Sequence, residues 1–337
     1  MTKTIVVAGA RSNVGKTTLA RRICGLLDDA LHVKIGHGEP KPQVEGAFYH
    51  HGTPVRPILD DHPERRFVII ESNTALADFT PDMAVYLAAD NPKPSAALAR
   101  DKADIIRGTP VHAETIGRLA SSLGCTPHIV RRIAWLAGAR PEPVTGIVLA
   151  GGKSSRMGTD KALLDIGGRS AAARALDMLA PLTDATLVVA SADNRERLGA
   201  VRCVTDKAPG MGPLMGLATG LESSHTEINL AVACDIPEIQ ADLVYRMLAE
   251  IDGKDIVVPS FTEGRYEPLL ALYRRSLAPA AAGLLAQQKR RVAALFDHGR
   301  TCVLRVDDAG WYRNLNTPGD YRDYVNAFSK GACDAAS

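Results

Sequence analysis

Short strand-like runs rich in apolar residues fall in the first 140 positions at 4–8, 32–35, 67–71, 83–88 and 105–106. Between them apolar positions recur at helical spacing, as over 17–27. Short continuous runs predict strands covered on both faces, and the helical stretches predict crossovers, so this part reads as a βαβ succession around a parallel sheet. A longer helical pattern over 113–137 closes it. The segment 140–144 then carries two prolines, which cannot continue a helix, and makes the natural boundary. The alternation restarts with strands at 147–150, 186–190, 202–205, 229–234, 256–259, 269–273 and 302–306 and helices at 170–179, 216–222 and 241–250. Residues 329–337 look like a polar tail that frays. The pattern predicts an α/β protein of two doubly wound domains, 1–140 and 144–328.

Composition sets limits on this picture. The chain of 337 residues is 46% apolar and 23% charged, enough for two cores. Its net charge of +2 hides no polarised half, with 18 Lys and Arg against 15 Asp and Glu in residues 1–143 and 22 against 23 in 144–337. Neither half has the basic footprint of a dedicated nucleic-acid binder. The six cysteines include no CxxC pair, so neither a zinc knuckle nor a disulfide framework is expected. No apolar run approaches the ~20 residues of a membrane span, and residues 1–10 read as a strand and turn rather than a signal peptide, so the expected location is cytoplasmic.

The most informative stretch runs from Gly146 to Lys161, an apolar strand followed by a glycine-rich loop that ends in cations. Gly151 and Gly152 let backbone N–H groups approach a phosphate, and Arg156 and Lys161 supply positive charge at fixed spacing. Glycine-rich turns also occur where nothing binds, but two cations with Met157-Gly158 and Asp160-Lys161 point to a triphosphate site. Asp206 ends another strand and leads into a glycine-rich loop over 209–216, which either contacts a base or ribose or simply starts the next helix. Asp235 follows the apolar run 230–234. It offers hard oxygens to Mg2+, which commonly shares one or two carboxylates with substrate phosphates; a helix N-cap is the other role open to it.

These segments combine with Tyr266-Glu-Pro-Leu, Arg290-Arg-Val-Ala-Ala-Leu-Phe and Asn314-Leu-Asn-Thr-Pro-Gly-Asp-Tyr. In six ordered blocks over 144–328 they resemble the molybdenum cofactor guanylyltransferases, the MobA family. The resemblance implies transfer of GMP from GTP to molybdenum-bound molybdopterin, yielding the guanine dinucleotide cofactor and pyrophosphate by in-line attack without a covalent intermediate. It implies that Leu149, Ala150, Gly151 and Gly152 hold the nucleotide, with Lys161 on phosphate, Asp206 on the nucleoside side and Asp235 on Mg2+. Arg156, Lys161 and Asp235 form the implied catalytic set. Arg290, Arg291, Asn314 and Asn316 would receive the pterin acceptor, although an exposed arginine pair also suits a solvated helix face. One position departs from the family: where it often has Asn after the second strand, this chain offers Ser191 or Asp193.

In the first half, Thr4 to Thr18 reads as strand, loop and helix start, with Gly15-Lys16-Thr17 in the Walker A position and Gly9 one place before the expected first glycine. Asn13, Val14, Gly15, Lys16, Thr17 and Thr18 then form a P-loop, with Lys16 on the outer phosphate oxygens and Thr17 on Mg2+. Glu71, at the end of an apolar run, is the natural second Mg2+ contact. A glutamate there resembles the MobB family, the GTP-binding adaptor of the same pathway; the variant loop also resembles dethiobiotin synthetase and cobyrinic acid amide-ligase folds. His37, His50 and His51 are either metal ligands or scattered surface histidines. Two helical stretches about Gly124, the second with Arg131 and Arg132, fit either a packed helix pair or a helix-turn-helix DNA reader, and the bland charge favours the pair.

The expectation is thus a fused enzyme: an N-terminal P-loop NTPase domain and a C-terminal Rossmann-like nucleotidyltransferase domain. Its ligands are GTP, Mg2+ and molybdenum-molybdopterin, with molybdoenzyme apoproteins or other cofactor-biosynthesis proteins as further partners and neither membrane nor nucleic acid. Open alternatives are a nucleotidyltransferase using CTP or another acceptor and a nucleotide-regulated molybdenum cofactor carrier. Retention of Lys161 and Asp235 argues against the carrier, which needs neither a phosphate clamp nor a metal.

Overall fold

The computed structural model describes residues 2–37, 46–151, 160–198, 202–208, 210–262, 264–307 and 310–334. The chain divides into two compact units, Met1–Glu142 and Pro143–Ser337. Among the described residues no helix is long and apolar enough to cross a membrane.

The first unit is built on strands β1 (Lys3–Gly9), β2 (Ala30–Gly36), β3 (Ala47–His50), β4 (Phe67–Glu71), β5 (Met83–Leu87) and β6 (Ile105–Ile106). They lie in the order β3-β2-β4-β1-β5-β6, and every pairing is parallel. All five residues of β4 and of β5 are buried, as expected of central strands covered on both faces. The helix Lys16–Leu26 covers one face through Leu19, Ala20 and Ile23. β3 escapes the apolar-run reading because Ala47, Phe48 and Tyr49 are only half-buried and His50 is exposed at the sheet edge. The helical pattern at 113–137 is two helices, Ala113–Leu123 and Pro127–Ala137, broken where Gly124 takes φ 62° and Pro127 opens the second. Val130, Ile133, Ala134 and Leu136 of the second helix are buried, and Arg131 and Arg132 are half-buried beside them.

The second unit holds β7 (Val144–Ala150), β8 (Ala185–Ala190), β9 (Cys203–Thr205), β10 (Ile228–Ala233), β11 (Ile256–Thr262), β12 (Arg265–Tyr266), β13 (Leu270–Arg274) and β14 (Thr301–Arg305). Their order is β12-β11-β13-β10-β7-β8-β9, with β14 beside β11. β10, β7, β8 and β9 run parallel, but β13 is antiparallel to both neighbours, so the sheet is mixed rather than uniformly parallel. The cause is local. β11 turns back at once into β12, and a return without a crossover must run antiparallel.

Helix Pro213–Ser223 shows how closely the covering layer sits. Leu214, Leu217, Ala218 and Leu221 recur at i, i+3, i+4 and i+7 and face Ile147, Leu149, Leu187 and Val189 in one core. A Cβ on Gly220 would stand 2.6 Å from Ile147 Cγ2, whereas one on Gly216 meets only Leu149 at 3.5 Å. At the C-terminus, helix Pro318–Asp334 continues through 329–334, which the polar composition marked as a frayed tail. Tyr321, Tyr324 and Phe328 at helical spacing pack with Leu164, Ile166 and Leu315 and anchor the helix up to residue 328.

Two predictions concern this framework. Gly220→Ala forces the helix off β7 and is expected to lower unfolding free energy by about 1–3 kcal/mol in denaturant titration, with Gly216→Ala nearly neutral. Asp82, just before β5, accepts from the Thr4 amide at 2.9 Å, the Thr4 hydroxyl at 3.0 Å and Lys3 Nζ at 3.1 Å. Burial pushes its pKa up, but these donors outweigh burial and hold it below the ordinary 3.8. A depressed folded value gives stabilisation that is present above the unfolded pKa and lost as pH falls through the folded one. Asp82→Asn should therefore cost about 1 kcal/mol at neutral pH, the loss being limited by solvent near Lys3, and the gap to wild type should close in acid.

Candidate active site

In both units the polar side chains gather at the C-terminal ends of the parallel strands, where the sheet's buried interior gives way to loops. In the second unit the ends of β7, β8 and β10 surround a cavity of about 260 Å3. Leu149, Ala150, Gly151, Asp160, Lys161, Asp206, Gly212, Cys234 and Asp235 contribute to its wall. Gly152 and Arg156 belong to 152–159, outside the described residues.

Lys161 opens a short turn over Lys161–Leu163 whose start is capped by Asp160, with Oδ1 accepting from the Ala162 amide at 3.0 Å. Its ammonium donates to Asp235 Oδ2 at 2.8 Å and to Asn316 Oδ1 at 2.7 Å. Both the lysine and the aspartate side chains are about 20% exposed, so this charge pair borders the cavity without being sealed from water. The Leu315 amide donates to the Asp235 carbonyl at 2.9 Å, and Thr317 and Asp320 exchange hydrogen bonds at the start of helix Pro318–Asp334. Asn316 is thus held by a capped helix on one side and by β10 on the other. No helix follows Asp235 directly; the next begins at Ala241, so its carboxylate is not an N-cap.

On the opposite wall Asp206 lies with Oδ2 3.5 Å from where a Gly151 side chain would begin. Burial pushes its carboxyl above 3.8, outweighing the Ala208 amide that donates to it. Gly212, at φ 84°, lies against the Arg290 carbonyl, and helix Pro213–Ser223 starts from it. Arg290 and Arg291 are exposed and sit in the turn after helix Ala278–Ala286, not on a helix face. Asn314 is half-buried and donates to the Tyr312 hydroxyl at 2.8 Å, which in turn donates to Glu267. Beside Asp235, the Cys234 thiol is buried and pushed up first by burial and then by Asp235 and Asp160, so it stays protonated and is no nucleophile.

A further polar residue was not among those expected. Asn194 is buried and donates to Asp160 Oδ2 at 2.6 Å, and its amide lies 3.4 Å from the Ala150 carbonyl. Asn194 lies one residue past Asp193 and is turned inward as the third residue of helix Ala192–Leu198, while Ser191 Oγ accepts from the Asn194 amide at 3.3 Å.

In the first unit a cavity of about 500 Å3 is lined by Ser12, Asn13, Gly15, Lys16, Thr17, Thr18, Lys34, His37, His51, Glu71 and Lys93, among others. Val14 turns away from it, toward Gly9. That contact accounts for the displaced glycine: a Cβ at Gly9 would lie 2.5 Å from Val14 Cγ1, while Ala10 is buried with its amide bonded to the Leu87 carbonyl at 3.0 Å. Asn73 fixes Gly9 by bonding both its amide and its carbonyl, at 2.9 and 2.8 Å. Lys16 Nζ donates to the Arg11 carbonyl at 3.0 Å, and Thr17 Oγ1 donates to Glu71 Oε2 at 2.7 Å.

Glu71 also receives Lys34 at 3.2 Å and has His32 Nε2 3.6 Å away. Burial pushes its carboxyl up, but His32, Thr17 and Lys34 together hold it down at about 2. His37 and His51 are not scattered: their rings stack at 4.2 Å on the cavity wall, while His50 lies edge-on to Phe48. Among the described residues no three His, Cys, Asp or Glu side chains converge as a metal cage.

A mixed sheet with carboxylates at the ends of two of its parallel strands, one of them, Asp235, bonded to a lysine that Asn316 also holds, defines the second unit as a nucleotidyltransferase. The family model described as a MobA-like NTP transferase domain matches residues 146–301. A probable molybdenum cofactor guanylyltransferase of Carboxydothermus hydrogenoformans is 30% identical over 193 residues, spanning 55% of this chain and 97% of that protein. The molybdenum cofactor guanylyltransferase of Burkholderia ambifaria is 34% identical over 193 residues, spanning 53% and 94%. A solved molybdopterin-guanine dinucleotide biosynthesis protein A from Archaeoglobus fulgidus aligns over 55% of this chain and 99% of its own, at 23% identity and TM-score 0.48. The chain belongs to the molybdenum cofactor guanylyltransferase family.

Removing Asn194 tests how the cavity wall is held. Asn194→Ala leaves the Asp160 carboxylate short of a buried partner and should destabilise the second unit by about 1–3 kcal/mol in denaturant titration, with Ser191→Ala costing less.

Proposed function

We propose that the second unit transfers GMP from GTP to molybdenum-bound molybdopterin, releasing pyrophosphate, and that the first unit binds a nucleoside triphosphate as a MobB-like adaptor. The observation that carries the first part is the Lys161 ammonium held between Asp235 and Asn316 at the ends of β7 and β10, in a chain of this family. A lysine so fixed needs little reorganisation to meet a phosphate, and such preorganised charge is the main contribution to phosphoryl-type transfer.

Asp235 is the residue to hold Mg2+. A carboxylate has about four lone-pair positions, so the bond from Lys161 to Oδ2 leaves acceptor capacity for a cation, and one protein carboxylate suits an ion that takes its other ligands from phosphates and water. The metal would draw charge from the α-phosphate and the leaving pyrophosphate. Leu149, Ala150 and Gly151 supply backbone groups to the nucleotide, Asp206 meets the nucleoside side, and Asn314, Asn316 and the exposed Arg290 and Arg291 face the acceptor. Gly152 and Arg156 complete the phosphate loop. The terminal phosphate of the pterin attacks the α-phosphorus in line, and no side-chain nucleophile is needed.

In the first unit, the left-handed turn at Asn13 (φ 61°), Gly15 at φ 100° and the start of helix Lys16–Leu26 support a phosphate-binding loop. Thr17 Oγ1 and Glu71 Oε2, 2.7 Å apart, make a hydroxyl and carboxylate pair that fits Mg2+. The stacked His37 and His51 stand on the wall of the same cavity.

The test uses the purified chain with Mg2+, molybdenum-bound molybdopterin and either GTP or CTP. Pyrophosphate should appear with GTP and far more slowly with CTP, and Asp235→Ala should lower the GTP rate by about 10²-fold or more. Near-normal turnover of that variant sinks the metal assignment, and equal rates with CTP sink the guanylyl assignment.

A further inference from the structure

Lys93 is a cation that neither the guanylyl-transfer chemistry nor the phosphate-loop motif uses. It stands in the segment that follows β5 and is stitched to the loop after β1. The Ala10 amide donates to the Leu87 carbonyl at 3.0 Å, and the Lys93 amide donates to the Ala10 carbonyl at 2.8 Å. The Lys93 ammonium reaches over the loop and donates to Ser12 Oγ at 3.2 Å. Lys93 lines the same cavity as Lys16, Thr17 and Glu71.

The charge balance of that cavity is uneven. Lys16, Lys34 and Lys93 line it, against Glu71 as the one carboxylate among its named lining residues. Glu71 is already committed, with Lys34 on Oε1 at 3.2 Å and Thr17 on Oε2 at 2.7 Å. Lys16 rests on a neutral carbonyl and Lys93 on a neutral hydroxyl. The Lys16 ammonium is correspondingly lowered, first by burial, an effect Glu71 opposes and Lys34 and Lys93 reinforce. Three like charges around one carboxylate are mutually repulsive until an anion enters, and a polyphosphate is the anion a glycine-turned loop at a helix start accepts.

We propose that Lys93 is a second phosphate-binding lysine of the first unit, which meets the terminal phosphate of the bound triphosphate. This rests on reading that cavity as a nucleoside triphosphate site. The loop divides the work by position. Gly15, Lys16 and the first amides of helix Lys16–Leu26 take the inner phosphates, with Lys16 reaching the outer oxygens. Ser12 comes earlier in the loop, before the left-handed turn at Asn13, so a cation standing on Ser12 meets the outermost group. Because Lys93 comes from the segment after β5, the strand next to β1, rather than from the loop, its contact makes the position of that segment sensitive to whether a third phosphate is present.

The experiment measures dissociation constants of Mg-GTP and Mg-GDP for the full chain carrying Lys161→Ala, which weakens the second unit's site, alone and combined with Lys93→Gln, Lys93→Arg or Lys16→Ala. Glutamine keeps a donor for Ser12 but removes the charge. Lys93→Gln is expected to weaken GTP about tenfold while changing GDP less than about twofold, and Lys93→Arg to restore most of the GTP affinity. An equal loss for GDP and GTP overturns the terminal-phosphate placement. Unchanged GTP binding in Lys93→Gln, with binding lost in Lys16→Ala, overturns the role of Lys93 while the phosphate-loop reading stands. Binding unaffected by Lys16→Ala removes the phosphate-loop reading and the Lys93 proposal together.

Discussion

The constraint on which the rest depends is that the central strands are covered on both faces. β4, β5, β7 and β10 are buried along their whole length, so a polar side chain within them has to find its partners internally. Thr145 accepts from Thr226, and Asn229 Nδ2 donates to three carbonyls while its Oδ1 is left unpaired. Charge can be presented only where a strand leaves the sheet. In parallel strands those exits fall on one edge, and Glu71, Asp206 and Asp235 all occupy that kind of position.

At those exits each unit balances its carboxylates differently. Asp235 shares a single lysine with Asn316 and stays partly exposed. Glu71 is buried and surrounded by His32, Thr17 and Lys34, which keep it ionised in spite of burial. Asp206 has one backbone donor and a raised pKa, a site tuned by desolvation rather than by pairing. Two asparagines tie strand ends to their neighbours: Asn194 bonds both Ala150 and Asp160, and Asn73 clamps Gly9.

Most of the strand positions were legible as apolar runs, because burial on both faces leaves little choice of residue. β4 and β6 fall where the runs fell, and the ends of other strands shifted by a few residues. What periodicity could not reveal was either weakly patterned or dependent on partners far along the chain. β3 is a half-buried edge strand with no clean run. The antiparallel β13 reads like any other buried strand, since direction is set by the turn through β12 and not by composition. The last helix packs through an aromatic stripe, Tyr321, Tyr324 and Phe328, and runs on through 329–334, where a count of polar residues expected a tail.

The sequence by itself determined the two-part α/β organisation, the glycine-rich loops and the carboxylates that end apolar runs, because each is a local requirement of buried strands and tight turns. Only the tertiary structure decided which of those groups meet. Lys161 and Asn316 are 155 positions apart and bonded at 2.7 Å, and Lys93 and Ser12 are 81 apart and bonded at 3.2 Å. It also decided that Asn194, and not Ser191 or Asp193, faces Asp160, because helix phase and packing set which side chain points inward. It also accounts for the glycine one place before the expected position: a Cβ at residue 9 would lie 2.5 Å from Val14 Cγ1, too close for the loop's shape.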